Sequence, residues 1–541
     1  MRFRIVLFLL VIAVLLAGCI APQAESSVIV SVQPSAQPTP SPTPAPLTLT
    51  VQAVADPSLL AADVSNPYSE INPYTLQIYQ PDETLYNALY RAVEALEPTF
   101  DASGFDLTYA EKYKTGSCLF GESGFRFYYL KNFKLSEDGG TFTFIYTDTS
   151  DLALNEETFC ARLGQLLYNT APENGTDIQR FLAVYEYLCE TASYSSDMSD
   201  QTTFSPYSIL TNGEGICNGY ASLLKYTLDH LGIPAEFVSN DPHAWNIVQL
   251  DGEWYQTDLT WGAGGPGETL NNTFTLLMDD ETRIQSLTDA GWNMGDIHLG
   301  YPGADMGPMP ACTSTRFLDY RGVGYVYAFD IADNRVYYNG DTGISRMNLD
   351  CTEQQTLLKG IYAYQMVFFD GILYYADMDT GFLYRLVPGS APELLDDSLM
   401  VAYLALDGTS LCYGQTTPSE KTMLLLPFDT ADYETADTEV LPAAQFPRSR
   451  TFRVDIQFSA PVDATQDWNQ LVYLADAEGN PVRLHFSLSA DGQTLTVRPA
   501  ESIADAGTVT LCITEGITSE EGATLSTSCR MDISLVSSVQ E

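Results

Sequence analysis

Basic residues are scarce in this 541-residue chain: 25 Lys and Arg stand against 70 Asp and Glu, a formal net charge of −45. Gripping a phosphate backbone needs a basic footprint, so nucleic acid is excluded as a main partner. Docking on an anionic membrane through basic patches is excluded on the same ground. Histidine is scarcer still, with His230, His243, His298 and His485 the only four. Any chemistry that needs an imidazole therefore has few places to be. The ten cysteines are scattered without a CxxC pair, which argues against a zinc knuckle and against a dense disulfide framework. Neither HExxH nor a Walker A loop occurs, so no metal and no cofactor is expected. What is present is a 45% apolar content with only 18% charged residues, enough for large cores. At about 100–200 residues per domain, the length suggests three or four domains.

Arg2 and Arg4 precede an apolar run from Ile5 to Leu16. A comfortable membrane span needs about 20 such residues, so a basic start and a short apolar core read as an export signal. Leu16-Ala17-Gly18-Cys19 follows and resembles the lipobox of bacterial lipoproteins. The resemblance implies lipidation at Cys19 and a protein held by acyl chains on the outer face of the cell membrane. Six of the thirteen residues from Pro34 to Pro46 are proline. Such a stretch favours extended polyproline II, a spacer of about 40 Å at ~3.1 Å per residue.

The stretch from Ser208 to Trp261 carries a chemical pattern. Cys217, Tyr220, Ala221, Leu224, Leu228 and Leu231 recur at helical spacing, and Gly232 with Pro234 ends the run. Cys217 thus opens a helix, where the dipole and unpaired N–H groups favour a thiolate and can receive an oxyanion. Taken alone, a structural cysteine opening a helix would be the better reading. Downstream, Asp241 to Leu250 and Glu253 to Trp261 flank Asp251-Gly252, a two-residue hairpin signal. If that pair is the turn, Leu250 faces Glu253 and Asp258 lies opposite Trp245. His243 and Trp245 share a face, so His243 and Asp258 become diagonal neighbours about 7–8 Å apart at Cβ. A register slip of one residue would separate them.

Gly215-x-Cys217-x-Gly219-Tyr220-Ala221, His243-Ala244-Trp245-Asn246-x-Val248 and Asp258-x-Thr260-Trp261 together resemble the transglutaminase-like superfamily of papain-type thiol enzymes. The resemblance implies Cys217, His243 and Asp258 as catalytic residues and a peptide or protein substrate, possible cell-wall peptide included. It also implies a core at about residues 170–290, with Ile178 to Leu188 as the preceding helix, Tyr194 at a position often aromatic, and Asn272 to Leu277 as a closing strand. The implied chemistry is acyl transfer through a cysteine thioester, hydrolysis slightly favoured over cross-linking. The alternative is a catalytically silent binding or adhesion lipoprotein on the same fold.

Past Tyr301 the pattern changes. Arg335-Val336-Tyr337-Tyr338 recurs as Ile372-Leu373-Tyr374-Tyr375 and, more weakly, as Leu411-Cys412-Tyr413, the logic of propeller blades. Three units are too few to close a ring. From Pro442 to Val536 about seven short alternating strands are expected, in β-sandwich grammar. The Phe458–Asp463 block resembles bacterial Ig-like modules, and Cys512 and Cys529 are candidates for a bridge within it. The expected whole is an α+β multidomain chain: a lipoprotein signal (1–19), a Pro/Ser/Thr-rich tether (20–48), a papain-like or transglutaminase-like domain with an N-terminal extension (49–300), an all-β repeat region (301–439) and an Ig-like β-sandwich (440–541).

Overall fold

The computed structural model describes residues 45–55, 65–122, 126–170, 175–195, 201–240, 242–262, 273–289, 291, 297–300, 308–321, 326–407, 410–415, 422–425, 438–500, 503 and 507–537. Cys19 and the proline-rich residues up to 44 lie outside that set. The elements that matter for the site come from the middle of the N-terminal half. Helix α1 (Asp177–Thr191) starts on a capping box, in which Thr176 and Gln179 satisfy each other's backbone N–H groups. Helix α2 (Cys217–His230) starts from an extended Ile216 with no side-chain cap. Strands β1 (Ala235–Ser239), β2 (Ala244–Leu250) and β3 (Glu253–Thr257) follow, and with His298–Leu299 they form one antiparallel sheet. Helix α3 (Asp280–Asp289) completes the neighbourhood.

The β2–β3 hairpin has the expected register: Leu250 faces Glu253 and Asn246 faces Thr257. Asp251 (φ 51°) and Gly252 (φ 82°) both lie in the left-handed region, as a type I′ turn requires. Helix α2 lies against β1 and β2, and Asn246 Nδ2 donates to the Ala221 carbonyl at 2.9 Å, tying helix to sheet. Leu223, Leu224 and Leu228 of α2 join Phe181, Leu182, Tyr185 and Leu188 of α1 in a large core. Of the closing strand expected at Asn272–Leu277, Asn272 lies outside the described residues and Thr273–Leu277 form a turn and bend, with a single bridge between Gln256 and Met278. Its backbone is used instead by Asp258, whose N–H donates to the Thr275 carbonyl at 3.0 Å.

Three antiparallel sheets follow in sequence. Their leading strands, β4 (Tyr327–Asp330), β5 (Ala363–Phe369) and β6 (Tyr403–Asp407), pack side by side, like three blades of an unclosed propeller.

The C-terminal region is a two-sheet sandwich, with eight strands between Pro442 and Val536 among the described residues where about seven are expected, and a further short strand at Glu439–Val440. It recruits a further strand from far upstream. Leu49–Ala55 pairs antiparallel with Phe452–Phe458 over its whole length, and Leu47, 2% exposed, joins the sandwich core. The expected boundary at residue 49 is therefore corrected: residues 47–55 belong to the sandwich, not to a tether or to the domain that follows. Cys512 and Cys529 do not bridge. Cys529 is paired with Ile513, so Cys512, one residue earlier, points to the other face of the sheet.

Candidate active site

Cys217 is the first residue of α2 and is 8% exposed. Its approach is set by backbone. Glu214–Gly215 pairs parallel with Ser193–Tyr194, just beyond α1. A Cβ on Gly215 would fall 2.5 Å from the Ile209 side chain, so only glycine fits there. The N-cap residue Ile216 offers no side-chain acceptor to the first turn of α2, an arrangement suited to negative charge. The Tyr194 hydroxyl lies within hydrogen-bonding reach of both the Cys217 backbone N–H and its thiol.

His243 sits one residue before β2 and Asp258 one residue after β3, so the hairpin register closes them together. His243 Nε2 and Asp258 Oδ2 are 2.7 Å apart. Cys217 packs against Ala244, the residue after His243, and its thiol adds to the interactions that raise the imidazole. The structure thus brings Cys217, His243 and Asp258 into one contiguous group. Asn240 fixes the loop before β2, its Oδ1 accepting from the His243 N–H at 3.0 Å.

A fourth residue was not legible in the sequence. Arg283, on α3, donates through Nη2 to the same Asp258 Oδ2 at 2.8 Å and is 1% exposed. Its guanidinium lies 4.4 Å from the centroid of the Trp245 ring, a cation–π contact. Trp245 Nε1 donates to Gln256 Oε1 at 2.6 Å, and Gln256 Nε2 donates to Asp280 Oδ1 at 2.8 Å. That chain holds α3 against the hairpin and so aims Arg283. No spacing pattern links position 283 to 258; the signal is tertiary.

The electrostatics follow from this packing. Burial works against a charged imidazole, but the Asp258 carboxylate and the hydrogen bonds to Asp258 and Cys217 outweigh it and push His243 up to about 9. Burial likewise pushes the Asp258 carboxyl up, and His243 and Arg283 reverse that, holding it below its ordinary value. Burial lowers Arg283 from its ordinary value, only partly offset by Asp258. At neutral pH the favoured state is an imidazolium between a carboxylate and a sulfur, which can move a proton in either direction.

The other histidines lie elsewhere. His230 ends α2 with Nδ1 3.1 Å from the Tyr226 carbonyl. His298 pairs with β1 at Ser239, and His485 is in the C-terminal sandwich. Among the described residues, no three His, Cys, Asp or Glu side chains converge to hold a metal. No helix among them is long and apolar enough to cross a membrane.

Residues 165–259 match the transglutaminase-like superfamily, and residues 438–532 match a bacterial Ig-like domain. Over 149 residues the chain is 27% identical to the human kyphoscoliosis peptidase (Homo sapiens) and 26% to its mouse counterpart (Mus musculus), in each case covering 24% of this chain and 22% of the relative. The chain thus spans about a fifth of the length of these curated relatives. Among solved structures, a candidate cysteine protease from Cytophaga hutchinsonii is similar at 17% identity, over 31% of this chain and 61% of that one, with a TM-score of 0.17. A likeness that low carries no argument.

Proposed function

We propose that the transglutaminase-like domain present in this chain is an acyl-transfer thiol enzyme that acts on a peptide or glutamine carboxamide. The observation that carries the proposal is the 2.7 Å His243–Asp258 contact beside a cysteine at a helix start. In the imidazolium state the thiol proton already resides on His243, and the Cys217 sulfur attacks the carbonyl carbon. Charge developing on the carbonyl oxygen is met by the Cys217 N–H and the Tyr194 hydroxyl, which share one locus. The C–N bond breaks as His243 returns the proton to the leaving amine, and an acyl thioester remains. Water deprotonated by His243 then releases the acid and restores the thiol. Asp258 holds the ring and stabilises its charged form.

Water is favoured as the acceptor, a preference supported by the peptidase name of the curated relatives. The signal-like residues 1–19 support an extracytoplasmic enzyme anchored through Cys19. Its substrate would then be a peptide or protein outside the membrane, cell-wall peptide included. The test is incubation of the full-length chain with a peptide library, with and without an added primary amine, read by mass spectrometry. Cleaved or deamidated peptides without amine, absent with Cys217→Ser, are expected. Products only when amine is added would replace hydrolysis with cross-linking. No product in either arm would leave the same fold as a binding module.

A further inference from the structure

Helix α1 has a second role that the proposed chemistry does not use. It turns Tyr185 and Cys189 inward. There they crowd Gly262, whose Cβ position would fall 2.4 Å from Tyr185 Oη. On its neighbouring face, Glu186 and Glu190 line a cavity of about 440 Å³. Most of the remaining wall comes from β4, β5 and the turns after them, with Leu406 of β6, and from Val482–His485 of the sandwich. The cavity therefore exists only where three regions of the chain meet. Its volume falls in the range of small-molecule sites, roughly 300–1,000 Å³.

We propose that this cavity binds an organic cation, a primary ammonium on an aliphatic stem, held by the carboxyls of Glu186 and Glu190 with Asp330 opposite them. The charge census sets the sign of the ligand. Glu186, Glu190, Asp330, Asp333 and Asp370 face the space against one arginine, Arg483. Two of these carboxyls have other work: Asp330 Oδ1 accepts from the Asp333 N–H at 3.2 Å, and Asp370 Oδ1 accepts from Asn469 Nδ2 at 2.9 Å. Glu186 and Glu190, one helical turn apart, share Arg483 as the cation that acts on both. They are only half-buried because the cavity keeps them accessible. Carboxyls of like charge gathered around one space and outnumbering the single arginine repel one another unless a cation or a proton neutralises them.

The apolar part of the wall, Met366, Val367, Phe369 and Leu406, matches an aliphatic stem. A bare divalent ion fits less well, since no three ligating side chains converge among the described residues. The protonation balance agrees. Burial and each other's charge raise Glu186 well above its ordinary value, with Asp330 adding to this and Arg483 opposing it. Burial raises Glu190 too, again against Arg483. Burial pushes Asp330 up to about 6, and Asp333 adds to that while the Asp333 N–H and Arg335 oppose it. Burial also raises Asp370, helped by Asp467. These carboxyls hold protons more tightly than in water, so an entering ammonium favours proton release.

Calorimetry on the full-length chain with cadaverine, in two buffers of different ionisation enthalpy, tests this. Saturable binding with net proton release is expected, weakened at least about tenfold in the Glu186→Gln/Glu190→Gln double variant. Asp330→Asn provides an independent check and should weaken binding less. Cys217→Ser should leave cadaverine binding intact, which separates this cavity from amine capture at the thiol. A lysine-containing decapeptide distinguishes sources: binding means the ammonium can arrive on a polypeptide side chain, and no binding restricts the ligand to free amines. Absence of saturable binding up to about 10 mM cadaverine would overturn the proposal. So would an affinity unchanged in both carboxyl variants, its loss in Cys217→Ser, or competition by calcium ion alone.

Discussion

In the transglutaminase-like region, His243, Asp258 and Arg283 are withdrawn from solvent and bonded to one another, with side-chain exposures of 2%, 0% and 1%. In the β-repeats the ion pairs sit on open sheet faces: Arg335–Glu353 at 30% and 68% exposure, Arg385–Glu393 at 40% and 61%. The chemical groups are alike, but the environments are not. Exposed pairs contribute about 0–1 kcal/mol, because water screens them and long side chains lose freedom in making them. A buried group gains little net stability from its charges, yet losing one partner costs about 3–5 kcal/mol. A fold has no stability reason to assemble a buried carboxylate, imidazole and guanidinium. Their presence beside a cysteine supports the proposed chemistry, whereas the surface pairs carry no such indication.

The largest expected effect comes from uncoupling the buried set without emptying it. Asp258→Asn preserves shape and removes the charge that sustains the imidazolium. Turnover of whichever peptide the library identifies should fall by about four orders of magnitude, read as kcat with KM little changed. Next comes Arg283→Met, which strands Asp258 with a single partner. Chemical denaturation should show a loss of about 3–5 kcal/mol in the transition of this region. Because Arg283 helps hold the Asp258 carboxyl down, its removal raises that carboxyl, and the acidic limb of kcat/KM should move to higher pH. A purely structural role for Arg283 would change stability and leave the limb in place.

A third expectation concerns the alkaline limb. His243 is raised from 6.5 to about 9, so the imidazolium that protonates the leaving amine persists at neutral pH and is lost as pH rises through about 9. The stability that its ion pair contributes follows the same course: complete below pH 6.5, gone above the folded value. Activity should decline near pH 9, not near 6.5. The smallest effect belongs to the other side of the comparison. Arg385→Ala should change stability by less than about 1 kcal/mol and leave turnover untouched. A larger loss would mean that the repeat faces are not the passive surfaces their exposure indicates.

The site was legible where local rules govern it. Asp251-Gly252 demands a tight turn, the turn pins the register, and the register places His243 beside Asp258. The helical spacing after Cys217 marks α2 and so the cysteine's position at its start. What escaped depends on partners distant in the chain. Arg283 reaches Asp258 from a separate helix, past residues that carry no pattern. The Leu49–Ala55 strand finds its partner about 400 residues later, and nothing in an alternating heptapeptide names a sheet so far away. The blade repeats could be read because each is a local hairpin, but the cavity behind them could not, since it forms from helix, blade and sandwich together.

The most direct test of the central claim is competitive alkylation. The full-length chain is treated with iodoacetamide at neutral pH, and adducts are mapped over Cys118, Cys160, Cys189, Cys217, Cys312, Cys351, Cys412, Cys512 and Cys529, all of them free thiols. Cys217 should be modified first, and His243→Ala should abolish that preference. Labelling of Cys217 no faster than that of the other thiols, or a preference that survives His243→Ala, would contradict the account.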